Sequence, residues 1–320
     1  MMSRIAESLY WTGRYCARIE NHARLLNVSF HTYQEWAGKP ADRAILWKRL
    51  IATMGQTNAF QARSDVYDDA SVLSFMVLDR SNENSIISCL SLARNNVRSV
   101  RERIPSRLWE TMNDFYLWMQ EQDIQSILAE SPYLFFQRIA NHVALFQGLA
   151  YSSMLREAEW NFICSGLHLE RGDSTIRLLQ MLNHSLNDFT EEKSNISPYR
   201  LITSFLKAAD AFKAFRKFHD DDFTLTTVAE FLLFNPILPR SVLFSYRELE
   251  KQIGLLQSGE RSGAISTTQK LLRKIHKDIA RLEPDVFREQ DITIELGRLL
   301  LSYNQLAEEI LDTFFRERNA

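Results

Sequence analysis

Between Ser3 and about Trp36 the chain has no proline and one glycine, Gly13, in an otherwise unbroken helical pattern. Such a helix spans about 50 Å at 1.5 Å per residue. An element of that length is stabilised by laying other elements along it, so it dictates the architecture around it. Ser3 is the expected N-cap. At about 100° per residue, Ile5, Leu9, Thr12, Cys16, Ile19 and Ala23 gather on one side, which predicts a core face. Arg4, Glu7, Trp11, Arg14 and Asn21 fall within about 60° of Arg18 on the other side. Exposed helices usually mix Lys with Glu. A stripe of Arg, Glu and Trp instead predicts partial burial, where a planar guanidinium suits a carboxylate or phosphate better than an ammonium does.

The pattern recurs. Gly166 to Leu179 aligns without gaps on Gly13 to Leu26, at an offset of 153 residues (13 to 166). Gly13/Gly166, Arg18/Arg171, Arg24/Arg177, Leu25/Leu178 and Leu26/Leu179 are identical, and Glu20/Asp173 keeps the carboxylate. In both copies that carboxylate and the later arginine are one helical turn apart. Two readings stand at this point. Either two Arg-rich amphipathic helices are alike by chance, or a duplication has produced two pseudo-equivalent long helices with facing Arg/carboxylate sets.

The 320 residues, 45% of them hydrophobic, suffice for one all-helical domain over 1–320, or for two halves, 1–186 and 196–320, packed together across the polar segment 187–195. Ten glycines and seven prolines are few, and no segment alternates as a strand does. The fold class is therefore all-α, a large multi-helix bundle with no β-sheet. Breaks are expected at Gly38-Lys39-Pro40, at Arg80 to Glu83, at Pro105, at Ser131-Pro132, at Pro239-Arg240-Ser241, at Ser258 to Gly263 and at Pro284. Ser106 is the expected cap of a helix running to about Leu128; one helix is expected from Ser197-Pro198 to about Phe218, and another from Thr224 to about Phe234.

Thirty-eight basic and 40 acidic residues leave a formal charge of −2, with no global pull toward nucleic acid or an anionic membrane. Cys16, Cys89 and Cys164 are widely spaced and form no CxxC, which predicts buried reduced thiols and no zinc site. No basic leader followed by an apolar core opens the chain, and no run approaches 18 apolar residues, so a cytoplasmic protein without a membrane partner is expected. Nothing in the sequence excludes a homo-oligomer.

The chain contains no GxxxxGK[ST], no GxGxxG after a strand, no GxSxG, no HExxH and no Glu-x-x-His. Those absences argue against nucleotide loops, hydrolase elbows, zincins and di-iron sites, and no metal or cofactor is expected. The acidic run Asp220 to Asp222 has no second cluster and reads as a solvated helix end. Arg94, Arg98, Arg101, Arg103 and Arg107 form the densest basic patch. Arg94, Arg98 and Arg101 share a helical face that would grip phosphates, pair with the carboxylates of the two copies, or stand solvated. Ser241 is the expected cap of the helix after Pro239, and Arg240 beside it would be aimed at an anion. His22 and His168 lie inside the two copies, where a helical histidine is more often structural than a general base.

Four ordered motifs carry a family resemblance: Ser3-Arg4-Ile5-Ala6-Glu7-Ser8-Leu9-Tyr10-Trp11 through Leu26; Ala93-Arg94-Asn95-Asn96-Val97-Arg98 with Trp109 and Asn113; Trp160 to Asp173; and Pro239-Arg240-Ser241-Val242. With them the chain resembles the alpha-E family of all-helical bacterial proteins. It departs from the family pattern at Ala17 and Asn95, where Glu is usual, and at Leu167, where Arg is usual. The resemblance implies a setting beside ATP-grasp amide or peptide ligases and transglutaminase-like peptidases, as partners in making or processing peptides. The expected ligand-binding set is Arg4, Glu7, Trp11, Arg14, Arg18, Glu20, Arg24, Arg94, Asn96, Arg98, Arg171, Arg177 and Arg240. Three functional readings follow: a helical scaffold whose Arg/carboxylate centre binds a partner ligase or an anionic peptide-like ligand; an all-α enzyme with Glu170 or Asp173 as acid/base and arginines holding a carboxylate or phosphate; or a network that is purely structural.

Overall fold

Cap residues and prolines divide the chain much as their chemistry predicts. The computed structural model describes residues 3–36, 40–189, 197–219, 222–257, 265–281 and 292–316. In chain order the helices are α1 (Ser3–Trp36), α2 (Pro40–Thr53), α3 (Thr57–Gln61), α4 (Asp69–Leu73), α5 (Ile86–Ser99), α6 (Ser106–Gln120), α7 (Ile124–Ala129), α8 (Pro132–Ser153), α9 (Ala158–Phe189), α10 (Pro198–Ala208), α11 (Phe212–Phe218), α12 (Leu225–Phe234), α13 (Val242–Gln257), α14 (Ile265–Arg281) and α15 (Ile292–Phe314). A π-helical turn, Ser74–Leu78, extends α4. Among the described residues there is no strand, and the fold is all-α.

Ser131 caps α8 ahead of Pro132, Thr224 forms a reciprocal capping box with Thr227 on α12, and the Ser241 hydroxyl accepts from the Phe244 amide at the start of α13. Other expectations change. Ser3 is the first residue of α1, and its hydroxyl donates to the Phe315 carbonyl at 2.7 Å. The helix expected from Ser106 to about Leu128 breaks after Gln120, where Asp123 accepts from the amides of Gln125 and Ser126 and starts α7. Asp123 is a better cap than Ser106, which lies inside its helix after Pro105. The helix expected from Pro198 to Phe218 is two, separated at Asp210, which adopts φ +53. The linker expected at 187–195 begins later, since α9 continues to Phe189; from residue 190 to 195 it lies outside the described residues. So do Gly38-Lys39, Asp220 and Asp221, the loop at 258–263, and Pro284.

α1 and α9 form the spine, with more mutual contact than any other pair of elements. They run side by side in the same direction. Contacts advance together along both, from Tyr10 against Gly166, through Arg18 against Glu170, to Glu20 against Arg171. Two glycines permit this approach. A Cβ on Gly13 would stand 2.0 Å from the Ile163 carbonyl oxygen and 2.9 Å from the Leu167 nitrogen; one on Gly166 would stand 2.0 Å from the Tyr10 oxygen and 3.0 Å from the Arg14 nitrogen.

These contacts are reciprocal under the offset seen in the sequence, because Tyr10 corresponds to Ile163 and Arg14 to Leu167. Further details repeat. The Thr12 hydroxyl donates to the Ser8 carbonyl and its counterpart Ser165 to that of Asn161, both at 2.7 Å. The one-turn pairs Glu20–Arg24 and Asp173–Arg177 close at 2.9 and 2.8 Å. An approximate two-fold axis therefore relates the two copies, which favours duplication over chance likeness.

The other helices wrap this pair. α5 and α8 cover α1, α13 and α15 cover α9, and α10 touches both. A single hydrophobic cluster runs through them from Ala6 to Phe315. The expected core face of α1 is buried at Leu9, Thr12, Cys16, Ile19 and Ala23, but so are Tyr10, Gly13, Ala17, Glu20 and Leu26, because α1 is enclosed on several sides. All three cysteines are buried free thiols, and burial pushes each up to about 12.

Gly13→Ala and Gly166→Ala should each destabilise the fold by about 3 kcal/mol or prevent folding, since the new methyl meets backbone that cannot yield. Gly148, exposed within α8 with nothing near its Cβ position, serves as the control. Gly148→Ala should stabilise by about 0.5–1 kcal/mol. Urea unfolding of the three variants measures both signs.

Candidate functional site

Just beyond the glycine contact, α1 and α9 each carry one buried carboxylate that meets at least one arginine of the other copy. Glu170 on α9 is buried and accepts from Arg14 Nε at 2.8 Å, Arg18 Nε at 2.6 Å and Arg18 Nη2 at 3.1 Å. Arg18 gives its remaining Nη1 to Asn84 Oδ1 at 3.0 Å. Asn84 is placed by a tight turn in which its amide donates to Asn82 Oδ1 while Asn82 Nδ2 donates to the Phe75 carbonyl of the π-turn. Arg14 also lies over the Trp11 ring, 5.1 Å from its centroid.

Glu20 on α1 forms the second centre. Its carboxylate accepts from Arg240 Nη2 and from Arg24 Nη2 at 2.9 Å, with Arg171 Nη2 at 3.5 Å. The turn before α13 delivers Arg240. Asn235 Oδ1 accepts from the Ile237 and Leu238 amides, and Thr175 on α9 donates to the Arg240 carbonyl at 2.9 Å. The guanidinium then reaches Asn21 Oδ1 at 2.9 Å as well as Glu20. Arg24 extends outward to Asp210 at 3.1 Å.

Guanidinium fields hold both carboxylates ionised against the cost of burial. Burial would raise the Glu20 carboxyl, but Arg240, Arg171 and Arg24 hold it down at about 2. Arg18 and Arg14 likewise hold Glu170 well below the usual range. Arg240 is pushed the other way, down to about 10, by burial and by crowding from Arg171 and Arg24, although Glu20 opposes the change. One carboxylate therefore satisfies itself fully among three arginines while the arginines share it incompletely. His22 and His168 are both neutral, at about 4 and about 3, chiefly because of burial and then of Arg18 and Arg171 respectively.

A cavity of about 360 Å³ opens beside these centres. Arg14, Arg18, Arg177, Arg240, Glu170 and Asp173 form its charged wall, with Asn21, Asn84, Thr175 and Asn304 among the neutral polar residues; Leu25, Leu178, Met181, Ala208 and Ala209 form an apolar side.

The expected site is thus gathered only in part. Arg14, Arg18, Glu20, Arg24, Glu170, Arg171, Asp173, Arg177 and Arg240 meet at the crossing. Arg94 does not join them. The apolar stripe Cys89, Leu90, Ala93 and Val97 buries one face of α5, and Arg94, just off that stripe, turns to α6, where it donates to Asn113 and lies over Trp109 and Tyr116 at 5.2 and 4.7 Å. Arg98 is exposed. Arg4, Glu7, Trp11 and Asn96 line a separate groove between α1 and α5. Sequence reasoning missed Asn84, Asp210, Asn304 and Gln147, whose Oε1 accepts from Arg171 at 3.0 Å. Each is a polar residue distant in sequence from the Arg motifs.

Among the described residues no group of acidic, His or Cys side chains could hold a metal ion, and no helix is long and apolar enough to cross a membrane. A family model described as a predicted alpha-helical domain with a conserved ER motif matches residues 1–315. The chain belongs to the Alpha-E family. Glu170-Arg171 is an ER dipeptide of this Alpha-E chain, and each of its two side chains reaches across the crossing to α1. Uncharacterised proteins of Mycobacterium bovis and Mycobacterium tuberculosis are 22% identical over 327 residues, which cover 97% of this chain and 36% of theirs. The Alpha-E chain thus spans about a third of the length of the curated relatives it matches. No solved structure matches it.

Glu20 has a folded value near 2 against 4.5 for a free carboxyl. Its contribution is present above about pH 4.5 and lost as pH falls toward 2. Glu20→Gln should cost about 3–5 kcal/mol at pH 7, by leaving buried arginines without their counter-ion, and should flatten the acid limb between pH 4.5 and 2. Urea unfolding as a function of pH checks both effects; an unchanged acid limb would contradict the pairing.

Proposed function

We propose that this Alpha-E chain is a helical accessory module whose central cavity binds an anionic, peptide-like ligand in the service of a partner ligase. The observation carrying this reading is the cavity wall, where four arginines face two carboxylates beside an apolar side. A volume of about 360 Å³ lies within the ~300–1,000 Å³ range of small-molecule sites. A closed ion-pair network would need no such space, which weighs against a purely structural role. Acid/base catalysis is the less supported alternative. Two arginines keep Glu170 deprotonated, which removes it as a proton donor, and the Asp173 carboxylate is already engaged by Arg177 at 2.8 Å.

The setting beside ATP-grasp ligases and transglutaminase-like peptidases rests on the resemblance of the motifs. It is compatible with a chain that matches only part of longer relatives.

Calorimetry with short acidic and basic peptides tests the ligand, and pull-down with a neighbouring ATP-grasp protein, followed by ATP consumption, tests the partner. Acidic peptides should bind and basic ones should not, with affinity falling as salt rises. Arg171→Ala should weaken the effect on ATP turnover by tenfold or more. Absence of both anion binding and ligase binding would remove the proposal.

A further inference from the structure

The positive surplus at the crossing is divided between two places. At the first, Glu170 faces Arg14 and Arg18, leaving one guanidinium charge over. At the second, Glu20 faces Arg24, Arg171 and Arg240; after the largely exposed Asp210 is set against Arg24, one charge again remains. Asp173 and Arg177 balance each other. The two centres are staggered along α1, with Arg18 and Arg24 about 9 Å apart at 1.5 Å per residue. Both reach the same cavity, through Arg14 and Arg18 from the first and Arg240 from the second.

Two further observations fit a local shortage of acceptors at the crossing, of whose orphan donors only Asn21 lines the cavity itself. The Nε atoms of Arg24 and Arg171 and the Nδ2 of Asn21 are buried donors without an acceptor, an arrangement native interiors rarely leave uncompensated. In addition, like charge from Arg171 and Arg24 crowds Arg240.

We infer that the ligand of the cavity carries two separate carboxylates, as in an acidic amino acid derivative or a short peptide with an acidic side chain, one for each surplus. This rests on the reading of the cavity as a site for an anionic, peptide-like ligand and narrows it. A single phosphate concentrates its charge at one point and meets one centre. A dicarboxylate spans both, and its carbon chain lies against Leu25, Leu178 and Met181 on the apolar side. The small cavity volume limits the ligand to about the size of an amino acid or dipeptide.

N-acetyl-alanyl-glutamate and N-acetyl-alanyl-glutamine have nearly the same shape but carry two carboxylates and one. Calorimetry on the full chain should find the glutamate peptide bound at least tenfold more tightly, with inorganic phosphate weaker than either. Arg240→Gln, with melting followed to verify folding, should reduce the preference to less than threefold while the glutamine peptide still binds. Arg14→Gln, at the other centre, should do the same if Arg240→Gln fails to fold. Equal affinity of the wild-type chain for the two peptides, or tighter binding of phosphate, overturns the dicarboxylate inference and leaves an anion site standing. Binding of none of the three probes overturns both.

Discussion

The site depends on backbone touching backbone where Gly13 packs on Ile163 and Leu167 and Gly166 packs on Tyr10 and Arg14. With a side chain at either position α1 and α9 would move apart, and the arginines of one copy would no longer reach the carboxylates of the other. The bonds from Arg18 to Glu170 are between 2.6 and 3.1 Å, and long side chains hold such geometry only when the backbones beneath them are fixed. A third glycine acts similarly on the far side of α9. At Gly172 a Cβ would lie 2.4 Å from the Tyr303 ring, so α15 seats an aromatic side chain against the helix that carries Glu170.

The two-fold relation also places two of the three positions, 17 and 167, at which the motif resemblance leads one to expect a charged residue. Position 17 corresponds to Glu170 and position 167 to Arg14, so Ala17 and Leu167 are the images of the two partners of one ion pair. Both images are apolar. Neither position therefore strands a buried charge, as a single charged residue there would. The asymmetry shows in the bonding: Arg18 Nε bonds Glu170, whereas Nε of its counterpart Arg171 is buried without an acceptor. Gln147 and Glu20 take part of the load from Nη2. One half-site thus keeps its own carboxylate clamp, and the other leans on neighbours.

Much of this was legible in sequence because it is local. Helix existence follows from the absence of breakers, the one-turn pairs Glu20–Arg24 and Asp173–Arg177 follow from spacing, and Ser131, Thr224 and Ser241 announce their caps. The split after Gln120 was hidden because helical periodicity continues across it and only Asp123 marks the restart. Asp210 was harder to see, since a non-glycine residue at φ +53 gives no compositional signal. Arg94 shows the limit for the site. An arginine motif on an amphipathic helix names a face but not the helix it will meet, and a rotation of one residue past the Ala93 stripe is enough to turn it to Trp109 and Tyr116.

Stability is a weak reason for a cluster of this kind. Each buried charge gives up hydration, and apolar residues of similar volume would often serve the fold as well. Six arginines against four carboxylates around the crossing make the imbalance worse, because surplus cations repel one another in a medium that screens them poorly. On the proposed reading an anion entering the cavity would relieve that repulsion, and binding and stability would be linked: occupancy would raise the stability of the folded chain in proportion to the logarithm of ligand concentration above its dissociation constant. On that reading, the positive surplus at the crossing would be the same quantity that gave the cavity a preference for anions.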